Sequence, residues 1–141
     1  MSDDMPQPAC GAHLRTVALP RDANASGDIF GGWTLSQMDL AGGTFAAAHS
    51  AKRVVTVRID AVEFLKPVSV GDDVSVFCEL EHEGDTSIAV RIEVWARVRT
   101  GDAPHKVTEG VFRYVAVGDD GTNDCELSRR CVKEVSAPVR G

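Results

Sequence analysis

Among the 141 residues of the chain, Asp39 has the surroundings that most suggest chemistry. It lies between Met38 and Leu40, just before Gly42-Gly43 and the small residues Ala46, Ala47 and Ala48. A carboxylate in such a run either lines a solvated helix face or sits in a crevice. In a crevice it can act as a general base. Gly31-Gly32 is the second candidate. Glycines at a helix N-terminus let a substrate oxygen approach free backbone N–H groups at the positive end of the dipole. Such a site stabilises an oxyanion; the plain alternative is a glycine turn.

Other chemistries find little support. Asp22, Asn24, Ser26 and Asp28, with Gly27, follow the start of a calcium loop, but Trp33 stands where the bidentate Glu belongs. Gly27-x-x-x-Gly31-Gly32 continues into Trp33 rather than Lys-Ser/Thr, so it is no phosphate loop. No Gly-x-Ser-x-Gly elbow occurs. His13, His49, His82 and His105 are isolated, and no Cys-x-x-Cys links Cys10, Cys78, Cys125 and Cys131. No metal is expected. Cys78 fits a core position, and the other three cysteines fit reduced thiols near the chain ends.

The elements that must position these residues follow from periodicity. Leu14–Leu19 is a short strand stopped by Pro20. From Asp28 to His49 the spacing of Leu35, Met38, Gly42 and Phe45 predicts one long helix, with Ser26 or Asp28 as its cap. Val54–Asp60 alternates with Val55, Val57 and Ile59 on one face, and a second strand follows over Ala61–Val68. Val74, Val76, Cys78 and Leu80 alternate, as do Ile88, Val90, Ile92, Val94, Ala96 and Val98. Val107–Val117 is the last strand. Arg91, Arg97 and Arg99, with Glu93, suit cross-strand ion pairs on a sheet surface. Short glycine-containing connections favour an antiparallel meander. One helix against about six strands is an α+β fold. Two glycines inside a helix cost about 1 kcal/mol each relative to alanine. Something must therefore come close to the backbone there, either a tightly packed sheet or a ligand channel.

Composition sets the frame. Charged residues are 26%, hydrophobic residues 43% and the formal net charge is −6, the balance of one globular domain rather than a nucleic-acid binder. No apolar run reaches the roughly 20 residues of a membrane helix. The first residues carry no secretory signal pattern, so a cytoplasmic location is expected. Residues 1–12 and 119–141 are expected to be disordered and flexible, respectively, around a domain at 13–118.

The combination Asn-x-x-Gly-Asp-x-Phe-Gly-Gly-Trp-x5-Asp, from Asn24 to Asp39, is more specific than any glycine pair. With RVVTVRIDAVEFLKPVSVGD and IEVWARV downstream, it resembles the YciA-type acyl-CoA thioesterases of the hotdog-fold superfamily over roughly residues 13–118. The resemblance implies an antiparallel sheet wrapped around one long central helix. It also implies dimers with joined sheets, often assembled as trimers of dimers. The implied activity is acyl-CoA hydrolysis without metal or cofactor, CoA being part of the substrate.

Position by position, the resemblance makes Asp39 the carboxylate that activates water or attacks the thioester. It makes Gly32 the oxyanion donor, with Gly31, Phe30 and Asp28 beside it. Asn24 is the loop amide, facing the helix acid across a dimer interface. Phe30 stands where related subgroups have histidine. Arg53, Thr56, Arg58, Lys66 and Ser87 are candidate CoA contacts, weighed against solvated surface roles. A non-catalytic acyl-CoA-binding module is the alternative, and Asp39 argues against it.

Overall fold

The computed structural model describes residues 8, 11–101 and 103–118. The expectations for residues 1–7 and 119–141, and for Cys10, Cys125 and Cys131, lie outside the described residues.

Strand β1 covers Leu14–Val17, followed by a 3₁₀ turn at Pro20–Asp22 and helix α1 at Gly31–Ser50. Strands β2 (Arg53–Phe64), β3 (Asp73–Glu83), β4 (Ser87–Arg97) and β5 (His105–Val117) complete the fold. All pairings are antiparallel, in the order β1-β3-β4-β5-β2. Helix α1 packs against β2, β3, β4 and β5, so one helix contacts the four long strands. The helix, 20 residues or about 30 Å long, spans the sheet.

The alternation in β4 holds for Ile88, Val90, Ile92, Val94 and Ala96, all buried against the helix with Val74, Val76, Cys78 and Phe112. Val98 lies beyond the strand and is exposed. The arginines of β4 make cross-strand surface pairs, but not mainly with Glu93: Arg97 reaches Asp73 at 3.1 Å, Arg91 reaches Glu109 at 3.4 Å and, within β4 itself, Glu93 at 3.9 Å, and Arg99 lies beyond the strand.

Three expectations are corrected. The helix begins at Gly31, and its N-cap is Phe30 with no side-chain cap, so neither Ser26 nor Asp28 caps it. Asn24 explains the difference: its Oδ1 accepts from the amides of Ser26 at 2.8 Å and Asp28 at 3.1 Å, holding both residues in a turn. Next, the two strands expected over 54–68 are one bent strand, β2, with register irregularities between Thr56 and Arg58 and between Asp60 and Glu63. Ala61, at φ 51°, sits in the second irregularity and absorbs the bend. The third correction follows from these bulges. They break the period, so Val54 and Val62 pack on the core while Val55 and Ile59 stay exposed.

Candidate active site

Asp39 sits at the middle of α1 on the side facing β2 and β5, and is half-buried. The Thr56 hydroxyl donates to its Oδ1 at 2.7 Å. The Tyr114 hydroxyl donates to the same oxygen at 3.1 Å. Thr56 and Tyr114 are direct cross-strand partners between β2 and β5, so both side chains rise from one face of the sheet. Burial pushes the Tyr114 phenol far above its ordinary ionisation range, and the adjacent Asp39 carboxylate pushes it further. Tyr114 is therefore a donor throughout the neutral range.

Asp39 opens on a groove of about 700 Å³ lined by Leu40, Gly43, Thr44, Ala47, Arg53 and Thr56, among others. Asp39, Gly43 and Ala47 recur every four residues and so form one stripe of the helix. Small side chains keep the space beside the carboxylate open. The two central glycines have different roles. A Cβ at Gly43 would meet only Tyr114 Cε1, at 3.6 Å, and Gly43 lines the groove. A Cβ at Gly42 would collide with the Tyr114 hydroxyl and lie 2.6 Å from Ile92 Cδ1. Gly42 is thus a site of close sheet packing and Gly43 a groove residue.

At the start of α1 the amides of Trp33 and Thr34 turn back to the carbonyl of Phe30, at 3.1 and 3.4 Å. The Gly31 and Gly32 amides donate to no acceptor among the described residues. Both residues are exposed, and a Cβ at Gly32 would meet nothing within 4 Å. This end of the helix borders a second cavity of about 350 Å³, with Phe64, Lys66 and Val68 among its lining.

Gly32 and Asp39 are seven positions apart on one helix, about 10 Å along its axis. A single carbonyl cannot touch both within one chain. The remaining expected residues are dispersed. Asp28 pairs with Ser69 in an isolated bridge next to the Asn24 turn. Among the described residues no hydrogen bond joins Asn24 to Asp39. Phe30 is exposed beside the glycines. Arg58 is held by Asp60 at 2.6 Å. Ser87 opens β4 opposite Val115, its carbonyl accepting from the Gly84 amide of the β3–β4 turn.

A thioesterase superfamily model matches residues 26–101, which include Gly31, Gly32, Asp39 and Thr56. The acyl-CoA thioester hydrolase YciA of Escherichia coli strain K12 is 46% identical over 112 residues, covering 77% of this chain and 84% of that protein. The chain belongs to the thioesterase superfamily. Its fold agrees with solved thioesterase structures. A hexameric thioesterase from Yersinia pestis matches with a TM-score of 0.77 and 47% identity, over 83% of this chain and 95% of that one. A hexameric hotdog fold thioesterase of Campylobacter jejuni matches with a TM-score of 0.75 and 42% identity, over 87% and 97%. The long helix against an antiparallel sheet in this thioesterase-superfamily chain is the hotdog fold that the sequence predicts.

Sequence reading missed Tyr114. It is the only tyrosine in the chain and lies on the inward face of β5 with Phe112. That placement was a usable signal, because a phenol on a core-facing position must find an acceptor. Thr56, one of the candidate CoA contacts, donates its hydroxyl to Asp39.

Proposed function

We propose that this thioesterase-superfamily chain hydrolyses acyl-CoA thioesters to the free acid and CoA. The observation that carries this reading is the Asp39 carboxylate, held by two hydroxyls at the wall of a groove kept open by Gly43 and Ala47. Asp39 takes a proton from water as the water oxygen attacks the thioester carbonyl, or attacks that carbonyl itself to give, once CoA thiolate leaves, a mixed anhydride that water then hydrolyses to the free acid and the Asp39 carboxylate. The negative charge that develops on the carbonyl oxygen goes to the Gly32 amide, with that of Gly31 beside it. Collapse of the tetrahedral species breaks the C–S bond and releases CoA thiolate. A thiolate is a good leaving group, so one carboxylate and oriented amides are sufficient machinery.

The roughly 10 Å between Gly32 and Asp39 makes this a two-copy site. The Asp39 half of one protomer meets the Asn24–Gly32 half of its partner, and a dimer holds two such sites. Three dimers would make the hexamer, the assembly reported for the Yersinia pestis and Campylobacter jejuni thioesterases. On this reading Arg53, at the Asp39 groove, and Lys66, beside the helix N-terminus, would contact the CoA phosphates. The same reading keeps the enzyme cytoplasmic and free of metal and cofactor, CoA entering only as part of the substrate.

The test is thiol release from a series running from acetyl-CoA to palmitoyl-CoA, with wild type and Asp39→Asn assayed side by side. Turnover of at least one substrate by wild type, lost in Asp39→Asn, supports the reading. Binding of acyl-CoA without turnover would replace it with a non-catalytic acyl-CoA-binding module.

A further inference from the structure

The geometry points to Tyr114 as a positioning residue, which reaches Asp39 through a notch at Gly42 and holds Oδ1 so that Oδ2 is the oxygen left to react. The kinetic part of this inference rests on the thioesterase reading; the contact itself does not.

Three observations carry it. First, Tyr114 is 1% exposed and donates to Asp39 Oδ1 at 3.1 Å, with the Asp39 backbone carbonyl further away at 3.4 Å. A buried phenol needs an acceptor, and this carboxylate is the shorter of its two. Second, Thr56 donates to the same Oδ1 at 2.7 Å, while among the described residues no hydrogen bond reaches Oδ2. A carboxylate can rotate and present either oxygen. Two donors converging on one oxygen fix that rotation, and the other oxygen faces the groove chemistry alone. Third, helix α1 carries no side chain where the phenol enters. Any Cβ at Gly42 would collide with the Tyr114 hydroxyl and lie 3.2 Å from its Cζ. The glycine thus explains how a strand tyrosine reaches a carboxylate on the helix. Because burial and Asp39 both push the phenol upward, Tyr114 keeps its proton and orients the base rather than relaying protons.

Tyr114→Phe removes only the hydroxyl. With acyl-CoA as substrate, kcat should fall on the order of 10-fold to 100-fold with KM little changed, the effect of a misaligned base. In an Asp39→Asn background the same substitution should cost nothing further, because its effect passes through that carboxylate. Full kcat in Tyr114→Phe, or an equal loss in both backgrounds, would overturn the proposal.

A second readout is independent of activity. Since Tyr114 is the only tyrosine, the tyrosine Fermi doublet of the Raman spectrum reports on it alone. The doublet should show a donating phenol in the wild type and a weaker donor in Asp39→Ala. An unchanged doublet overturns the contact, whether or not Tyr114→Phe folds. A wild type that hydrolyses no acyl-CoA while the doublet shifts would refute the thioesterase reading and leave the contact standing.

Discussion

Thr56 and Tyr114 both donate to Oδ1 of Asp39, so the carboxylate is oriented before any substrate arrives. Asn has the same shape and keeps one acceptor oxygen for these donors. Asp39→Asn should therefore fold and keep its oligomeric state, yet lose at least about 100-fold in kcat, the scale of a lost general base. Circular dichroism and sedimentation check the first half, steady-state thiol release the second. The glycine pair allows a sharper test. Gly43 lines the groove, so Gly43→Leu should lower kcat/KM for long acyl-CoAs relative to short ones, with Tm nearly unchanged. Gly42 packs against Tyr114 and Ile92, so Gly42→Leu should destabilise by about 1–3 kcal/mol and leave any remaining chain-length ratio unchanged. A shifted ratio in Gly42→Leu, with none in Gly43→Leu, would reverse these assignments.

Two elements carry features that stability measurements can read. Helix α1 ends at Ala51, which adopts a left-handed φ of 57° as its C-cap. Alanine is strained there and glycine is not. Ala51→Gly should raise stability by about 0.5–1 kcal/mol, seen as a Tm higher by a few degrees. Strand β2 is tied to β5 by Asp60, which accepts from Arg113 at 2.8 Å and from Arg58 at 2.6 Å. Burial alone would raise the Asp60 carboxyl, but the hydrogen bonds and charges of the two arginines outweigh it and hold it below the ordinary 3.8. A depressed carboxyl stabilises the fold above its unfolded value and loses that contribution as pH falls through the folded value. Asp60→Asn should thus be less stable than wild type at pH 6, with the gap narrowing steadily below about pH 4. Urea midpoints across that range decide it; a gap constant with pH would mean the ion pairs contribute nothing to stability.

At the scale of the whole molecule, β2 is, among the described residues, an edge strand paired only with β5. Its outward residues include Ile59 at 47% exposure and Phe64 at 54%, and Leu40 on the helix is 58% exposed. Long apolar edges are ordinarily covered in native proteins. On the proposed reading, a second copy of this chain covers this edge and brings Asp39 to the glycines of the other helix. Ile59→Arg should therefore weaken assembly and activity together. Analytical ultracentrifugation at micromolar concentration, run beside the hydrolysis assay, makes the comparison. A stable and fully active monomer would defeat the two-copy site.

The residues themselves determined a good deal of this protein. Period two from Ile88 to Ala96 specified a strand with one apolar face on the core, because the pleat sends alternate side chains to opposite faces, but not that Ala89 and Trp95 on the other face would be buried as well. The spacing from Asn24 to Asp39 pointed to the thioesterase superfamily before any fold was known. The bend in β2 was illegible, since bulges at Val57 and near Ala61 depend on how β5 pairs with it rather than on local propensity. The helix start was misread because Ser26 and Asp28 are good caps in isolation, while the Asn24 turn holds both of them upstream of Phe30, the residue that precedes the first helical turn. Only the tertiary structure assigned Gly42 to packing and Gly43 to the groove, since neighbours on one helix point about 100° apart and the sheet decides which of them it meets. It alone placed Tyr114 on Asp39, across 75 positions of chain, because a hydrogen bond between a strand and a helix is set by the register of the sheet and leaves no period in the sequence.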